Sequence, residues 1–163
     1  MTFEGKTIVV TGAFGALGAA VAEAAAGRGA SVAALDLAST APAGFAERLG
    51  ANGLILGGVD LSLPQAAERA MATAAARFGR IDALLNIAGG FVWEKFADAA
   101  NAGAWDRMFA INLKTALNAS RAALPKLLES GDGRIVNVGA QTAVRASEGM
   151  GAPMPRARPP SIA

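Results

Sequence analysis

A chain of 163 residues that is 53% hydrophobic, 6% aromatic and 17% charged has the length and composition of one alanine-rich, core-forming domain. It holds no His, Cys or Tyr, which excludes thiol nucleophiles, disulfides, histidine triads and imidazole or thiolate metal sites, so no metal is expected. A net charge of +2 and a pI near 9.5 give no basic stripe for nucleic acid, and no uncharged apolar run is long enough for a membrane helix.

The start, MTFEGKTIVVTG, enters a strand-like run at once and has no secretory leader pattern, so cytoplasmic residence is expected. Strands are predicted at Lys6–Thr11, Ser31–Asp36, Leu54–Asp60, Ile81–Asn86 and Arg134–Val138. Helices are predicted between them, at Ala16–Arg28, Pro42–Leu49, Pro64–Phe78 and Ala104–Glu129. Ser62 is a candidate N-cap ahead of Pro64, and Gly29 and Gly79 are candidate C′ residues. This alternation predicts parallel βαβ units in a doubly wound, Rossmann-type sheet, with a first strand buried on both faces. Four of the seven prolines (Pro153, Pro155, Pro159 and Pro160) then crowd into APMPRARPPSIA. Proline removes backbone donors, so residues 1–151 are read as the domain and 152–163 as a disordered tail.

The chemistry is carried by Thr11-Gly12-Ala13-Phe14-Gly15-Ala16-Leu17-Gly18, where the first strand meets the first helix. Glycines there let the backbone turn sharply and approach a phosphate, and the helix N-terminus favours its charge. Asp36 ends the second strand at close to the ~20-residue interval expected of a ribose-binding carboxylate. A carboxylate at that place accepts from ribose hydroxyls and repels a 2′-phosphate, so NAD is expected over NADP.

These residues resemble the short-chain dehydrogenases/reductases. The glycine segment is similar to the family's TGxxxGxG loop, with its middle glycine at Gly15 and Ala16 in the usual place. Asp60-Leu61 resembles the pair that contacts the adenine ring. Asn86-Ile87-Ala88-Gly89 resembles the NNAG segment, with Ile87 replacing its second Asn, and Arg134-Ile135-Val136-Asn137 resembles the fifth strand. Asn112, in FAINLKT, matches the asparagine of the family's catalytic site, which helps hold a proton-relay water. The resemblance runs over roughly Lys6–Val138. It implies an NAD(P)-dependent oxidoreductase that moves hydride between an alcohol and a carbonyl. Its expected coenzyme-binding residues are Thr11, Gly12, Phe14, Gly15, Leu17, Gly18, Asp36, Asp60, Leu61, Asn86, Ala88 and Gly89. Trp93 and Phe96 follow the fourth strand, as substrate-mouth or packing residues.

The family's catalytic serine, tyrosine and lysine are not matched. By spacing they fall at Ala140, Pro153 and Ala157, with Gln141 or Thr142 as the nearest hydroxyl or amide. A reading frame shifted to the third base of the Pro153 codon is compatible with Y-A-A-S-K-A-A-V, in register with the upstream motifs. A truncated, frameshifted gene product is therefore expected, catalytically impaired as it stands. Its fifth strand would then be an open edge, and the long helix would expose Met108, Ile111, Leu117 and Leu124, favouring homo-oligomers or aggregation. Arg145, Arg156 and Arg158 read as solvated tail charges. The alternatives are a non-catalytic dinucleotide-binding or interaction module, and a methyltransferase-like glycine loop for S-adenosylmethionine. Asn86-Ile87-Ala88-Gly89 and Asn112 weigh against the second.

Overall fold

The computed structural model describes residues 2–91 and 102–140. Trp93, Phe96, Gln141, Thr142, the three arginines from Arg145 onward and the proline-rich tail lie outside the described residues.

Five parallel strands form one sheet: β1 (Thr7–Thr11), β2 (Ser31–Leu35), β3 (Gly53–Leu56), β4 (Ala83–Asn86) and β5 (Arg134–Asn137), in the order β3-β2-β1-β4-β5. The chain steps outward from β1 to β3 and then crosses to the other side of β1. The switch point, where α/β sheets open a crevice beyond their carboxyl ends, therefore falls between β1 and β4. β1 pairs with both neighbours, and all five of its residues are buried. A continuous apolar run suits that central place.

Helices α1 (Ala16–Ala26) and α2 (Phe45–Leu49) cover one face of the sheet. On that face Ile8, Val10, Val32 and Ala34 meet Ala22, Ala25, Phe45 and Leu49. Helices α3 (Pro64–Phe78) and α5 (Thr115–Glu129) cover the other, where Ala67, Ala70, Met71 and Ala74 of α3 recur at helical spacing. Thr115, Ala119, Ala123 and Leu127 supply the matching stripe of α5.

Several boundaries differ from expectation, each for a local reason. The third strand stops at Leu56, because Gly57 and Gly58 turn the chain: the Gly58 N–H donates to the Ala38 carbonyl and Val59 to that of Asp36. Ser62 does not cap α3. Its N–H and Oγ both donate to Asp60 Oδ1, at 2.9 and 2.6 Å, and Leu63 takes the cap position without a side-chain bond. Gly79 does end α3 in the left-handed region, with φ of +80°. The predicted helix Ala104–Glu129 is α4 (Ala102–Phe109), a π-helical turn (Ala110–Lys114) and α5 in succession. Met108, expected on the surface, is 1% exposed, whereas Leu117 and Leu124 are exposed as expected. Among the described residues β5 is an edge strand, with Val136 half exposed. No helix of the described residues is long and apolar enough to cross a membrane.

Candidate functional site

The turn after β1 is set by three glycines with different duties. Gly12 has φ of +64°, and a Cβ there would lie 2.8 Å from the Ala88 Cα, so only glycine lets this turn close against the segment after β4. At Gly18 a Cβ would meet the Gly12 carbonyl oxygen and carbon, so the first turn of α1 is pressed onto the loop it follows. Gly15 is different. A Cβ there would touch only the Gly12 oxygen, at an ordinary 3.5 Å, and Gly15 occupies the N-cap of α1 with no side chain capping the helix. Internal packing does not require glycine at that position. A bare backbone beside uncapped helix amides is what a phosphate needs.

Neighbouring groups hold the loop in place. The Ala13 N–H donates to the Leu35 carbonyl at 3.0 Å, and the Phe14 N–H to Asp36 Oδ2 at 2.9 Å. The other Asp36 oxygen accepts from the Ala38 N–H at 2.9 Å. Each oxygen keeps further acceptor capacity, so the carboxylate ties the loop to β2 and can still accept hydrogen bonds from outside the chain. Thr11 Oγ1 accepts from the Ile87 and Ala88 N–H groups, both at 3.0 Å, joining the ends of β1 and β4.

On the far side of the crevice Asn86, 4% exposed, donates through Nδ2 to Ser120 Oγ and to Asn137 Oδ1. Its own Oδ1 has no partner among the described residues. Asn112 lies in the π-helical turn, a type of distortion frequent at functional sites. Its Oδ1 accepts from the Gly90 N–H, and its Nδ2 donates to the Gly90 and Met108 carbonyls. Gly89 has to be bare because a Cβ there would meet Asn112 Oδ1.

The structure thus brings Thr11, Gly12, Phe14, Gly15, Gly18, Asp36, Asn86, Ala88, Gly89 and Asn112 to one edge of the sheet, where Leu17 projects into solvent from the first turn of α1. Asp60 follows β3 at the same edge, and the neighbouring Leu61 side chain is buried in the core beneath α3 and α5. Ala140, at the spacing of the family's serine, is exposed just past β5. Sequence reasoning missed Asn118, whose Nδ2 bridges the Leu61 and Ser62 carbonyls, and Ser120. The signal was available: both are polar positions on a helix that is otherwise alanine- and leucine-rich. Among the described residues no cluster of acidic side chains could hold a metal.

The chain is similar in sequence and fold to known proteins. A family model for short chain dehydrogenases matches residues 6–152. The chain is 38% identical over 145 residues to a D-threitol dehydrogenase of Mycolicibacterium smegmatis, covering 86% of this chain and 54% of that protein. It is 32% identical over 141 residues to the 3-oxoacyl-acyl-carrier-protein reductase FabG of Escherichia coli, covering 85% and 56%. A crystal structure assigned to the short-chain dehydrogenases/reductases, from Burkholderia xenovorans, superposes with a TM-score of 0.79 at 29% identity, covering 88% of this chain and 59% of that one. The chain spans about half the length of the curated relatives it matches. With the fold, the glycine turn and the family model in agreement, this chain belongs to the short-chain dehydrogenases, a family of oxidoreductases that use NAD(H) or NADP(H).

Proposed function

We propose that this chain forms the coenzyme-binding part of an oxidoreductase acting on a small alcohol or carbonyl compound, with NAD as the preferred coenzyme. The observation that carries the reading is the junction of the Gly12–Gly18 turn with Asp36 through the Phe14 N–H. Loop amides and the start of α1 hold the pyrophosphate, and Gly15 leaves room for it. Asp36 accepts from the adenosine ribose, and its charge, beside which no cation hydrogen-bonds among the described residues, disfavours a 2′-phosphate. Asp60 accepts from the adenine amine, and the segment from Asn86 to Gly89 borders the nicotinamide half.

The coenzyme, when bound, supplies the hydride acceptor or donor. Asn112 holds the loop after β4 in place beside it. The chain contains no tyrosine to move the substrate proton, so we expect binding without turnover from the chain as it stands. Titration calorimetry with NAD, NADP and S-adenosylmethionine, paired with a dehydrogenase assay, tests both halves of the reading. Heat with NAD, at least about tenfold weaker binding of NADP and no turnover are expected. Folded protein that is silent to NAD, or that prefers S-adenosylmethionine, overturns it.

A further inference from the structure

Helix α2 contributes no residue to the crevice, yet its first residue reaches the glycine turn from behind. Phe45 is fully buried, and its ring meets that of Phe14 edge to face, with centroids 5.8 Å apart and planes at 75°. This is the preferred geometry of an aromatic pair. Phe14 is the turn residue whose N–H is bonded to Asp36, so its backbone and its ring are both anchored. The anchor itself is braced. Arg48 sits over the outer side of the Phe45 ring, 5.9 Å from its centroid, while its Nε donates to Glu23 of α1 at 2.7 Å and its guanidinium also to the Ala43 carbonyl. Gly44 enters α2 with φ of +71°, and a Cβ there would press on the Arg48 guanidinium, so the bare entry keeps this brace in place.

We propose that Phe45 is a positioning residue for the pyrophosphate cradle, holding the Gly12–Gly18 turn in its binding shape through the Phe14 ring. The inference rests on the coenzyme reading above only in naming the ligand. The mechanical link from α2 to the turn stands on the contacts themselves. The backbone between Gly12 and Gly15 has one bond to a strand carbonyl, one to Asp36 and one within the turn, from the Gly15 N–H to the Gly12 carbonyl. Of the two side chains it sends into the core cluster under α1 and α2, Ala13 and Phe14, Phe14 alone carries a ring. Losing the ring contact frees Phe14, and with it the amides that face the phosphates. A pre-shaped loop binds more tightly because less ordering remains to be done on binding.

The test compares Phe45→Leu, Phe14→Leu and the double variant with the unmodified chain. Affinities for NAD, ADP and adenosine are measured by calorimetry well below each variant's Tm. Both single variants are expected to bind NAD and ADP about three- to tenfold more weakly, with adenosine unchanged within twofold. The double variant is expected to be no worse than the weaker single one, since both remove one contact. Equal losses for all three ligands, or additive losses in the double variant, would show a general loss of structure and overturn the proposal. Hydrogen exchange of residues 11–18 in the ligand-free protein supplies a second readout. Phe45→Leu is expected to speed exchange there several-fold and leave α3 unchanged, and an unaffected turn overturns the link. Should the unmodified chain bind none of the ligands while exchange in the turn still responds, the coenzyme reading fails and the link survives.

Discussion

At the amino ends of the strands, the Asp82 carboxylate collects four donors. It is 5% exposed and accepts from the Thr7 N–H at 2.9 Å, from Lys6 Nζ at 3.1 Å and from two Arg80 nitrogens at 2.8 and 2.6 Å. Its backbone pairs with Thr7 on one side and with Arg134 on the other, so one residue ties the starts of β1, β4 and β5. At the carboxyl ends Asp36 is only half buried and takes a single backbone N–H on each oxygen. Burial pushes the Asp82 carboxyl up. The Arg80 hydrogen bond, the Thr7 N–H, Lys6 and the Arg80 charge outweigh it and hold the carboxyl below the usual aspartate range. A carboxylate saturated by its own chain can only stabilise. One left with acceptor capacity beside bare glycines can also bind.

The contrast is broken or sharpened by substitutions at each end. The largest effect is expected for Gly18→Ala, whose Cβ has no space against Gly12. Stability should fall by about 3 kcal/mol in denaturant unfolding, and coenzyme binding should go with it. Unchanged stability would mean that the turn is looser than its contacts indicate. Asp82→Asn comes next, at about 2 kcal/mol, from weakened bonds to a buried acceptor whose cationic partners stay hydrated. Coenzyme affinity should not move, and a loss there would erase the division between the two ends.

That substitution also has a signature in acid. A carboxyl with a lowered folded pKa contributes stability that is complete at neutral pH, above its unfolded value, and fades as pH falls through the folded one. The gap in stability between the unmodified chain and Asp82→Asn should therefore narrow in strong acid, as followed by circular dichroism. Asp36→Asn should do the reverse of Asp82→Asn: about a tenfold loss of NAD affinity and a smaller preference over NADP, with a minor change in Tm. Least of all, Lys126→Ala breaks an exposed pair with Glu129 and should cost about 0.3 kcal/mol, near the limit of a melting curve.

Much of the architecture was legible because its signals are local. The β-branched run at residues 7–11, the helical spacing of small apolar residues in α3 and the glycines bounding α3 and β1 depend on neighbours in sequence. The positions of the glycine turn, Asp36, Asn86 and Asn112 were legible for the same reason, as spacings from strand ends. What those side chains do was not. Thr11 reaches the N–H groups of Ile87 and Ala88, and Asn86 reaches Ser120 and Asn137, all across distances in sequence that no local pattern encodes. Ser62 was misread because its N–H and hydroxyl both donate to the Asp60 carboxylate two residues earlier, a local turn that leaves the cap position to Leu63.

By itself the sequence determined the alternation of strands and helices, the placing of bare backbone after β1 and the chemical types ranged along one edge, since propensity and periodicity act over a few residues. Only the tertiary structure decided that the switch point falls between β1 and β4, that Asp82 is spent on stability and that Phe45 backs the glycine turn. Such contacts form only when the sheet order brings distant segments within a few ångströms of one another, and burial then sets what each polar group is worth.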